Sequence, residues 1–544
     1  MPDRHVPVLV VGGSLVGLST SVLLAGHGVP HLLVERHRGT AIHPRAASFH
    51  QRTMEIFRSA GLQEAVEQAA AEEFVQNGAI VSVETLTSDE VTYFYRSFNE
   101  GVEGLSPTSR LFITQIGLEP LLRDRARDRG AEHLYGTELV SFEQDDDGVT
   151  SVIRSRDDGS EQTVRSDYLV AADGAHSPIR QRLGIEMQGR GTFAECVTIY
   201  FKADMRELIR DRPLSVVYIS HPELLGFFRF SFTGDSGFLA VFSTTNPDGT
   251  RNTHAGKELD AAGCAELVRK ALGRPDMAVE VDDVQPWTAA AAHAASFRHG
   301  RVFLAGDSAH TMPPTGGFGG NTGVADAHDL AWKLAMVADG RAGAGLLDTY
   351  DAERRPVGAL IAEQAYTRYV LRVDPSLSKD NLAAPLDDAS IELGAVYASA
   401  AVLAPERPDP SAPPLDDPRA PSGRPGTRAA HLSITRDGVD MSILDVFGAS
   451  FVLLTGPNGR AWQQSAASQV PDLVAFRVAP DGDLVAAAGA LEDAYGIGSD
   501  GAVVVRPDGV IAWRSTGAVA DPTGVVGSVL QRLLFRSGAG APVT

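Results

Sequence analysis

The first part of the chain alternates between apolar runs and a glycine-rich turn. Residues 7–11 (PVLVV) are apolar apart from the leading proline, which is typical of a strand buried on both faces. A helical segment follows to about Ala25, and Gly26 and Gly28 end it. Residues 31–35 (HLLVE) form the next short apolar run. Strand, helix and strand in close succession predict a βαβ unit with parallel strands.

The turn between the first strand and the helix carries a glycine motif. Glu35 lies 18 residues after Gly17 (35 − 17), close to the roughly 20 expected for an acid that holds a ribose. We therefore predict that a dinucleotide binds here, against Gly12, Ser14, Leu15, Val16 and Gly17. Ser14 stands at the middle glycine position of the fingerprint. Its Cβ is a mild obstruction there, although its hydroxyl could donate to a phosphate oxygen.

A second glycine-rich stretch lies at residues 306–334. It follows the apolar run 301–305, so we expect Asp307 at the carboxyl end of a strand, where open α/β sheets bind ligands. The loop that follows contains Pro313, Pro314, Gly316, Gly317, Gly319 and Gly320. We predict a helix from near Asn321, and such a loop leading into a helix N-terminus favours negative charge. On that helix one face carries three polar residues: Asp326, Asp329 and Lys333.

A third apolar strand, residues 168–172, ends in Asp173 and Gly174. Because Asp-Gly is common in turns, this pattern alone fits a plain turn as well as a functional residue. Ser177 and Arg180 follow it.

The middle of the chain has a different pattern, with short alternating strands in residues 75–98 and 190–290. Within the run FFRFSF, alternation places Phe228 and Phe230 on one face of a strand, and Phe227 and Arg229 on the other. A face of aromatic rings suits a flat apolar substrate, and it equally suits an ordinary sheet core. We take Phe228 and Phe230 as candidate substrate contacts.

Composition narrows the class of protein. A chain of 544 residues suggests two to four domains. The net charge of −21 and the lack of a basic stripe argue against nucleic-acid binding. The two cysteines, Cys196 and Cys264, have no metal-ligand spacing, so we expect no metal site and a reducing cytoplasm. No apolar run is long enough to cross a bilayer and the N-terminal run is short, so we expect neither a membrane span nor a signal peptide.

Together the three motifs resemble those of the FAD-dependent aromatic hydroxylases with the p-hydroxybenzoate hydroxylase fold. The resemblance implies that Asp307 holds the ribityl chain of FAD and that the loop after it lies against the flavin ring. It implies further cofactor contacts from Glu35, Arg36, Arg45, Gln115, Asp173, Pro314, Gly317, Gly319, Gly320 and Asn321. Pro313 becomes a candidate substrate contact. Arg45 is our candidate for coupling flavin movement to NADPH; we identify no catalytic base.

The nearest resemblance is to hydroxylases of aromatic polyketides, of the aklavinone and angucycline type. It implies that NADPH (NADH remains possible) reduces FAD, and that a flavin C4a-hydroperoxide formed with O2 gives one oxygen atom to a polycyclic phenol. A simple phenol hydroxylase and a Baeyer–Villiger monooxygenase on the same fold remain alternatives. From another class, the chain could be a non-enzymatic protein that binds an aromatic drug.

The fold we expect is α/β (α+β overall) with a discontinuous FAD-binding domain of residues 1–74, 100–185 and 291–403. Residues 75–99 and 186–290 would form a β-rich substrate domain, and the Pro-rich residues 404–428 would cross to the C-terminal part. Residues 429–544 resemble a thioredoxin-like domain. It has no cysteine, which excludes dithiol chemistry and leaves a structural or subunit-contact role in a monomer or homodimer.

Overall fold

The computed structural model describes residues 2–43, 47–246, 248–253, 259–405, 413–467 and 472–536. Its strands in chain order are β1 Arg4–Val11, β2 His31–Glu35, β3 Ser48–Phe49, β4 Ala79–Val83, β5 Thr92–Tyr95, β6 Leu111–Phe112, β7 Glu132–Tyr135, β8 Thr137–Gln144, β9 Val149–Ser155, β10 Glu161–Ala171, β11 Met187–Lys202, β12 Leu214–His221, β13 Leu224–Phe230, β14 Ser236–Thr245, β15 Arg251–Asn252, β16 Glu280–Ala294, β17 Arg298–His299, β18 Val302–Leu304, β19 His310–Thr311, β20 Ser433–Arg436, β21 Val439–Ser442, β22 Phe451–Thr455, β23 Leu473–Arg477, β24 Ala502–Val505 and β25 Ile511–Ser515. Its α-helices are α1 Leu15–Gly26, α2 Gln51–Ser59, α3 Gln63–Glu73, α4 Gln115–Asp128, α5 Pro178–Arg182, α6 Arg206–Ile209, α7 Ala261–Leu272, α8 Phe318–Ala338, α9 Thr349–Arg372, α10 Asp388–Leu393, α11 Arg460–Ala466, α12 Ala490–Tyr495 and α13 Pro522–Leu533.

A mixed sheet of eight strands gathers segments that are far apart in sequence, from β1 to β18. Its main path runs β17-β18-β10-β1-β2-β7, and β8 and β9 extend it from β10. The strands β18, β10, β1, β2 and β7 run parallel. The predicted βαβ unit is present as β1, α1 and β2. Because helices cover the parallel part, its central strands are apolar throughout, which is why the sequence pattern identified them.

A second sheet of nine strands follows the path β19-β16-β11-β14-β13-β12-β4-β5, with β15 beside β14. One face packs on α7, in a core that contains Phe228, Phe230, Cys264 and Val268. The opposite face meets the long helix α9 through a separate aromatic cluster, described below. The short strand β19 pairs with β16 and joins this sheet to the loop that follows Asp307.

The C-terminal part contains a four-stranded sheet in the order β23-β22-β24-β25. The pair β22–β23 is parallel, and β22–β24 and β24–β25 are antiparallel. One face joins a core with Trp332 of α8, and the other joins a core with Tyr495. No helix in the described part of the chain is long and apolar enough to cross a membrane. Among the same residues no group of His, Cys, Asp and Glu is arranged to hold a metal.

Candidate active site

Four neighbouring parallel strands end at one edge of the first sheet, and each delivers a predicted site residue there. The pairing of Val11 with Ala171 and Val34, and of Ala171 with Leu304, brings the strand ends level. The residues at this edge, called the strand-end site below, are Gly12 after β1, Glu35 at the end of β2, Asp173 after β10 and Asp307 after β18. The carboxyl ends of parallel strands are where open sheets bind ligands.

The glycine turn after β1 is fixed by close backbone packing. Gly12 has φ +108°, and a Cβ there would lie 2.2 Å from the Ala172 carbonyl oxygen. At Gly17 a Cβ would lie 1.8 Å from the Gly12 carbonyl oxygen. The Gly13 amide donates to Glu35 Oε2 at 2.6 Å. Only glycine therefore fits at positions 12 and 17, and α1 begins close against the end of β1 with its first amides facing the strand-end site.

Ser14 caps the start of α1 and is exposed. Its hydroxyl donates to Glu119 Oε1 at 2.6 Å and accepts from Gln115 Nε2 at 3.2 Å. Glu119 Oε2 accepts from the Ala41 amide at 2.6 Å. Burial raises the pKa of Glu119 because it disfavours the charged carboxylate. Sequence reasoning missed Glu119, although its position one helical turn after Gln115 was a usable signal.

The acid at the end of β2 is also engaged within the protein. Besides the Gly13 amide, Glu35 accepts from the His37 amide at 2.8 Å. Arg36, next to it, is exposed. Arg45 lies outside the described residues, so its predicted role stays a prediction. Just before it, the ring of His43 lies 3.1 Å from Asp283 of β16.

The turn that carries Asp307 packs directly on α1. Gly306 has φ +64°, and a Cβ there would lie 2.7 Å from Val16 Cγ2. The Gly306 amide donates to Asp326 Oδ2 at 3.0 Å, and His310 Nε2 lies 2.7 Å from the same oxygen. The two glycine-rich motifs, which lie far apart in sequence, thus meet at one site. The carboxylate of Asp326 holds the turn of Asp307 through the Gly306 amide and the His310 ring.

The helix after the Pro/Gly loop begins at Phe318, so the predicted start near Asn321 was late. Gly317, at φ +70°, occupies the N-cap in a left-handed conformation. Gly319 and Gly320, which we placed in the loop, therefore belong to the first turn of α8 with their amides free of intrahelical acceptors. Pro313 is buried and Pro314 is exposed in the loop before it.

Asn321 holds this helix start against α2. Its Oδ1 accepts from the His50 amide at 2.9 Å and from Thr53 Oγ1 at 2.6 Å. Its Nδ2 donates to the Ser48 and Gly317 carbonyls at 2.9 and 2.7 Å. The whole hydrogen-bonding capacity of the amide is used within the protein. Asn321 therefore orients the loop through its side chain.

The Asp-Gly motif after β10 caps the start of the short helix α5. Asp173 accepts from Ser177 Oγ at 2.6 Å and from the Ile179 amide at 3.1 Å. Arg180 Nη1 donates to the Ser308 carbonyl at 2.9 Å and so links this motif to the Asp307 turn. Burial raises the pKa of Asp173.

The structure places Phe228 and Phe230 away from the strand-end site, in the closed core beneath α7. The prediction that Phe228 and Phe230 contact the substrate therefore has no support from the structure. Their positions fit the alternative interpretation, in which this face forms an ordinary sheet core. Phe227, which has the opposite parity, packs against the aromatic cluster that meets α9. Phe227 packs there with ring centroids 5.7 Å from Phe242 and 5.9 Å from Tyr218, and Tyr369 of α9 lies 5.2 Å from Phe242.

Comparison with known proteins agrees with this arrangement. The sequence profile of an FAD binding domain matches residues 5–365, and that of the aromatic-ring hydroxylase C-terminal domain matches residues 422–535. The chain belongs to the FAD-dependent aromatic hydroxylases. It is a flavoprotein monooxygenase, and the alternative of a non-enzymatic binding protein is set aside.

Individual relatives of this aromatic hydroxylase span almost its full length. The 4-methyl-5-nitrocatechol 5-monooxygenase of Burkholderia sp is 48% identical, with 98% of each chain covered. The tetracenomycin A2 monooxygenase-dioxygenase of Streptomyces glaucescens is 38% identical, covering 100% of this chain and 99% of the relative. The structure of aklavinone-11 hydroxylase with FAD and aklavinone is 38% identical with a TM-score of 0.90, covering 98% of this chain and 100% of that one.

The strand-end site of this hydroxylase fits FAD. Two helices, α1 and α8, direct their N-terminal amides toward it, which suits a pyrophosphate and a flavin ring that gains negative charge. Asp307 is exposed in the turn after β18. No side chain is tolerated at Gly12, Gly17 or Gly306, so the backbone itself forms the floor of the site.

Proposed function

We propose that this monooxygenase uses NADPH to reduce its FAD and then inserts one oxygen atom of O2 into a phenolic ring. The observation that carries the proposal is the meeting of both glycine motifs at the strand-end site, where Gly306 packs on Val16. When bound, FAD supplies the hydride acceptance and oxygen activation that no side chain can provide. The protein supplies binding, orientation and exclusion of water.

In this proposal the cofactor contacts are made mainly by the backbone. The first-turn amides of α1, from Leu15 to Gly17, hold the pyrophosphate. The carboxylate of Asp307 accepts hydrogen bonds from ribityl hydroxyls. The amides of Gly319 and Gly320 at the start of α8 stabilise negative charge on the pyrimidine side of the reduced flavin, because the helix dipole is positive there.

The aromatic substrate binds in this proposal on the face that carries Phe227. Phe227 is half-buried there beside Tyr218, and offset or edge-on ring contacts stabilise a flat guest by about 0.5–1.5 kcal/mol beyond its burial. Pro313, in the loop between β19 and α8, is buried and remains a candidate contact. Arg45 remains the proposed coupling residue between flavin movement and NADPH.

The substrate we propose first is a polycyclic phenol of the polyketide type, because the tetracenomycin and aklavinone enzymes are similar over their whole length. A monocyclic phenol is the second candidate, because the relative named for 4-methyl-5-nitrocatechol has the higher identity of 48%. Baeyer–Villiger insertion remains a third outcome on the same fold. NADPH or NADH as reductant and a monomeric or homodimeric state stay predictions.

The test is NADPH oxidation in air by the FAD-loaded protein, with a tetracyclic phenolic polyketide compared with 4-methyl-5-nitrocatechol. Stimulation by the tetracycle alone supports the polyketide substrate, and stimulation by the nitrocatechol alone supports the monocyclic one. Product formed under ¹⁸O₂ should carry one labelled atom, and its NMR spectrum separates a new phenol from an inserted ester. No stimulation of NADPH oxidation by any phenol would refute the proposal.

A further inference from the structure

Two charged side chains of the C-terminal region (residues 422–536) enter the core of the cofactor-binding part. Arg506 and Asp508 lie in the turn between β24 and β25, and they are 0% and 3% exposed. They meet Asp329 and Lys333 of α8 and Glu353 of α9, which are equally buried. These five residues are called the buried charge cluster below. The polar face that the sequence predicted on α8 is thus covered by the C-terminal region.

Arg506 is the centre of the buried charge cluster. Its Nη1 and Nη2 donate to the two Glu353 carboxylate oxygens at 2.6 and 2.9 Å. Nη2 also donates to Asp329 Oδ1 at 3.1 Å, and Nε donates to Asp508 Oδ1 at 3.0 Å. A planar guanidinium presents five N–H donors in a fixed fork, so it reaches three carboxylates that lie in different directions, whereas the compact lysine ammonium cannot span the same three positions.

Lys333 completes the cluster by donating to Asp329 Oδ2 and Glu353 Oε2, both at 2.7 Å. Three carboxyl groups therefore face two cations. Burial raises the pKa of Asp329 well above its ordinary value. Removal of Arg506 would leave Lys333 as the one cation of the buried charge cluster, and an uncompensated buried charge is strongly destabilising.

One route from the cluster reaches the Asp307 turn. Arg354 follows Glu353 on α9, and its Nε donates to Asp326 Oδ1 at 2.8 Å. Asp326 accepts from the Gly306 amide through its other oxygen. The position of α9 against α8, which Arg506 fixes through Glu353 and Asp329, therefore also sets the position of the residue before Asp307.

A second route reaches the start of α8. Arg52 Nη2 donates to the Asp508 carbonyl at 2.6 Å. The next residue, Thr53, donates through Oγ1 to Asn321 Oδ1. Helix α2 thus connects the turn between β24 and β25 to Asn321, which orients the segment 306–321. Both ends of the segment 306–321 are therefore hydrogen-bonded to helices that contact the turn of Arg506 and Asp508: the first end to α8, and the second end to α2.

We infer that Arg506 is a positioning residue through which the C-terminal region holds the cofactor loop 306–321 in the conformation that binds FAD. This gives the cysteine-free C-terminal region a function: it is an intramolecular support for the flavin site. The inference rests on the proposed FAD contacts of that loop, and it is independent of which phenol is oxidised.

The test is the dissociation constant of FAD, measured by flavin fluorescence on deflavinated full-length protein. Arg506→Met should raise this constant at least tenfold. The matched control is Arg514→Met, because Arg514 lies in the same region and donates to the Ser422 and Tyr495 carbonyls within that region. Arg514→Met should change the FAD dissociation constant less than twofold, even where it lowers the melting temperature.

Arg506→Lys decides the question if Arg506→Met does not fold. Lysine keeps the charge and cannot reach three carboxylates at once, so the FAD dissociation constant should rise at least threefold in a protein with native circular dichroism. A folded Arg506 variant with unchanged FAD affinity would overturn the inference, because a merely structural role lowers the melting temperature and leaves that affinity alone. Wild-type protein that fails to bind FAD would instead refute the proposed function.

Discussion

The substitution Gly17→Ala tests the strand-end site most directly. The added Cβ would lie 1.8 Å from the Gly12 carbonyl oxygen and 3.5 Å from Ala172 Cβ. The first contact involves backbone, so no side-chain rotation relieves it. Real Cβ atoms do not approach a heavy atom closer than 3.0 Å, so the start of α1 must move away from β1 by at least the difference between 1.8 and 3.0 Å.

A displacement of this size removes hydrogen bonds from the α1 amides to the pyrophosphate. One bond to a charged group contributes about 1.5–3 kcal/mol, and the helix dipole contributes about 0.3–1 kcal/mol. Loss of one bond and part of the dipole term is about 3 kcal/mol, which corresponds to a roughly 100-fold weaker FAD affinity at about 1.4 kcal/mol per tenfold change. Overpacking also costs about 1–3 kcal/mol of stability in the protein without cofactor.

The assay is titration of deflavinated protein with FAD, followed by quenching of flavin fluorescence. Gly26→Ala is the matched control, because it makes the same change at the other end of α1. Its Cβ would meet only the terminal nitrogen of the flexible Arg129 side chain, at 2.9 Å. A folded Gly17→Ala protein whose FAD affinity stays within threefold of that of Gly26→Ala would refute the proposed pyrophosphate contact.

Three further predictions separate the parts of the site. Phe227→Ala should raise the KM for the phenol about tenfold, whereas Phe228→Ala should cost about 3–5 kcal/mol of stability and leave the KM unchanged. The reverse pattern of KM values would place the substrate beneath α7. Asp307→Asn should weaken FAD binding about tenfold through loss of charge-assisted hydrogen bonds, and equal affinity of both proteins in the titration would exclude the ribityl contact. Because the pKa of Glu119 is raised in the folded protein, its protonated form stabilises the fold fully below about pH 4.5, and this contribution is lost as pH rises through the raised value. The melting temperature of Glu119→Gln, relative to that of the wild type, should therefore increase from pH 5 to pH 8. A difference that stays constant over this range would contradict the prediction.

The sequence was sufficient to predict the strand-end site because its signals are local. An apolar run followed by glycine or aspartate marks the end of a buried parallel strand, and β1, β10 and β18 all end in this way. Parallel pairing then brings those ends to one edge without further information. The turn at Asp307 could be placed beside the first glycine motif for that reason, although the contact of Gly306 with Val16 could not be predicted.

The sequence was less informative about which face of a strand or helix is buried and which element packs on it, because both depend on what covers that strand or helix in the folded protein. Strict alternation separates Phe227 from Phe228 correctly, yet it cannot say which face lies under α7. The polar face of α8 likewise does not indicate whether solvent or another part of the chain covers it. Asp329 and Lys333 are fully buried because Arg506, from a distant part of the chain, balances their charge, and no local pattern in either segment contains that pairing.

The family motifs do not distinguish one substrate class from another, because relatives with different substrates share them. The nitrocatechol and tetracenomycin enzymes both align with almost the whole chain, so elements shared by all three cannot distinguish one ring from four. In the proposed binding mode, the distinction comes from side chains on the face of the second sheet that carries Phe227. There Tyr369 contacts Phe193 and Phe242 with centroid distances of 5.0 and 5.2 Å, which closes the space between sheet and helix at that level. In the proposed binding mode, a guest of either size therefore cannot enter between Tyr369 and these two rings.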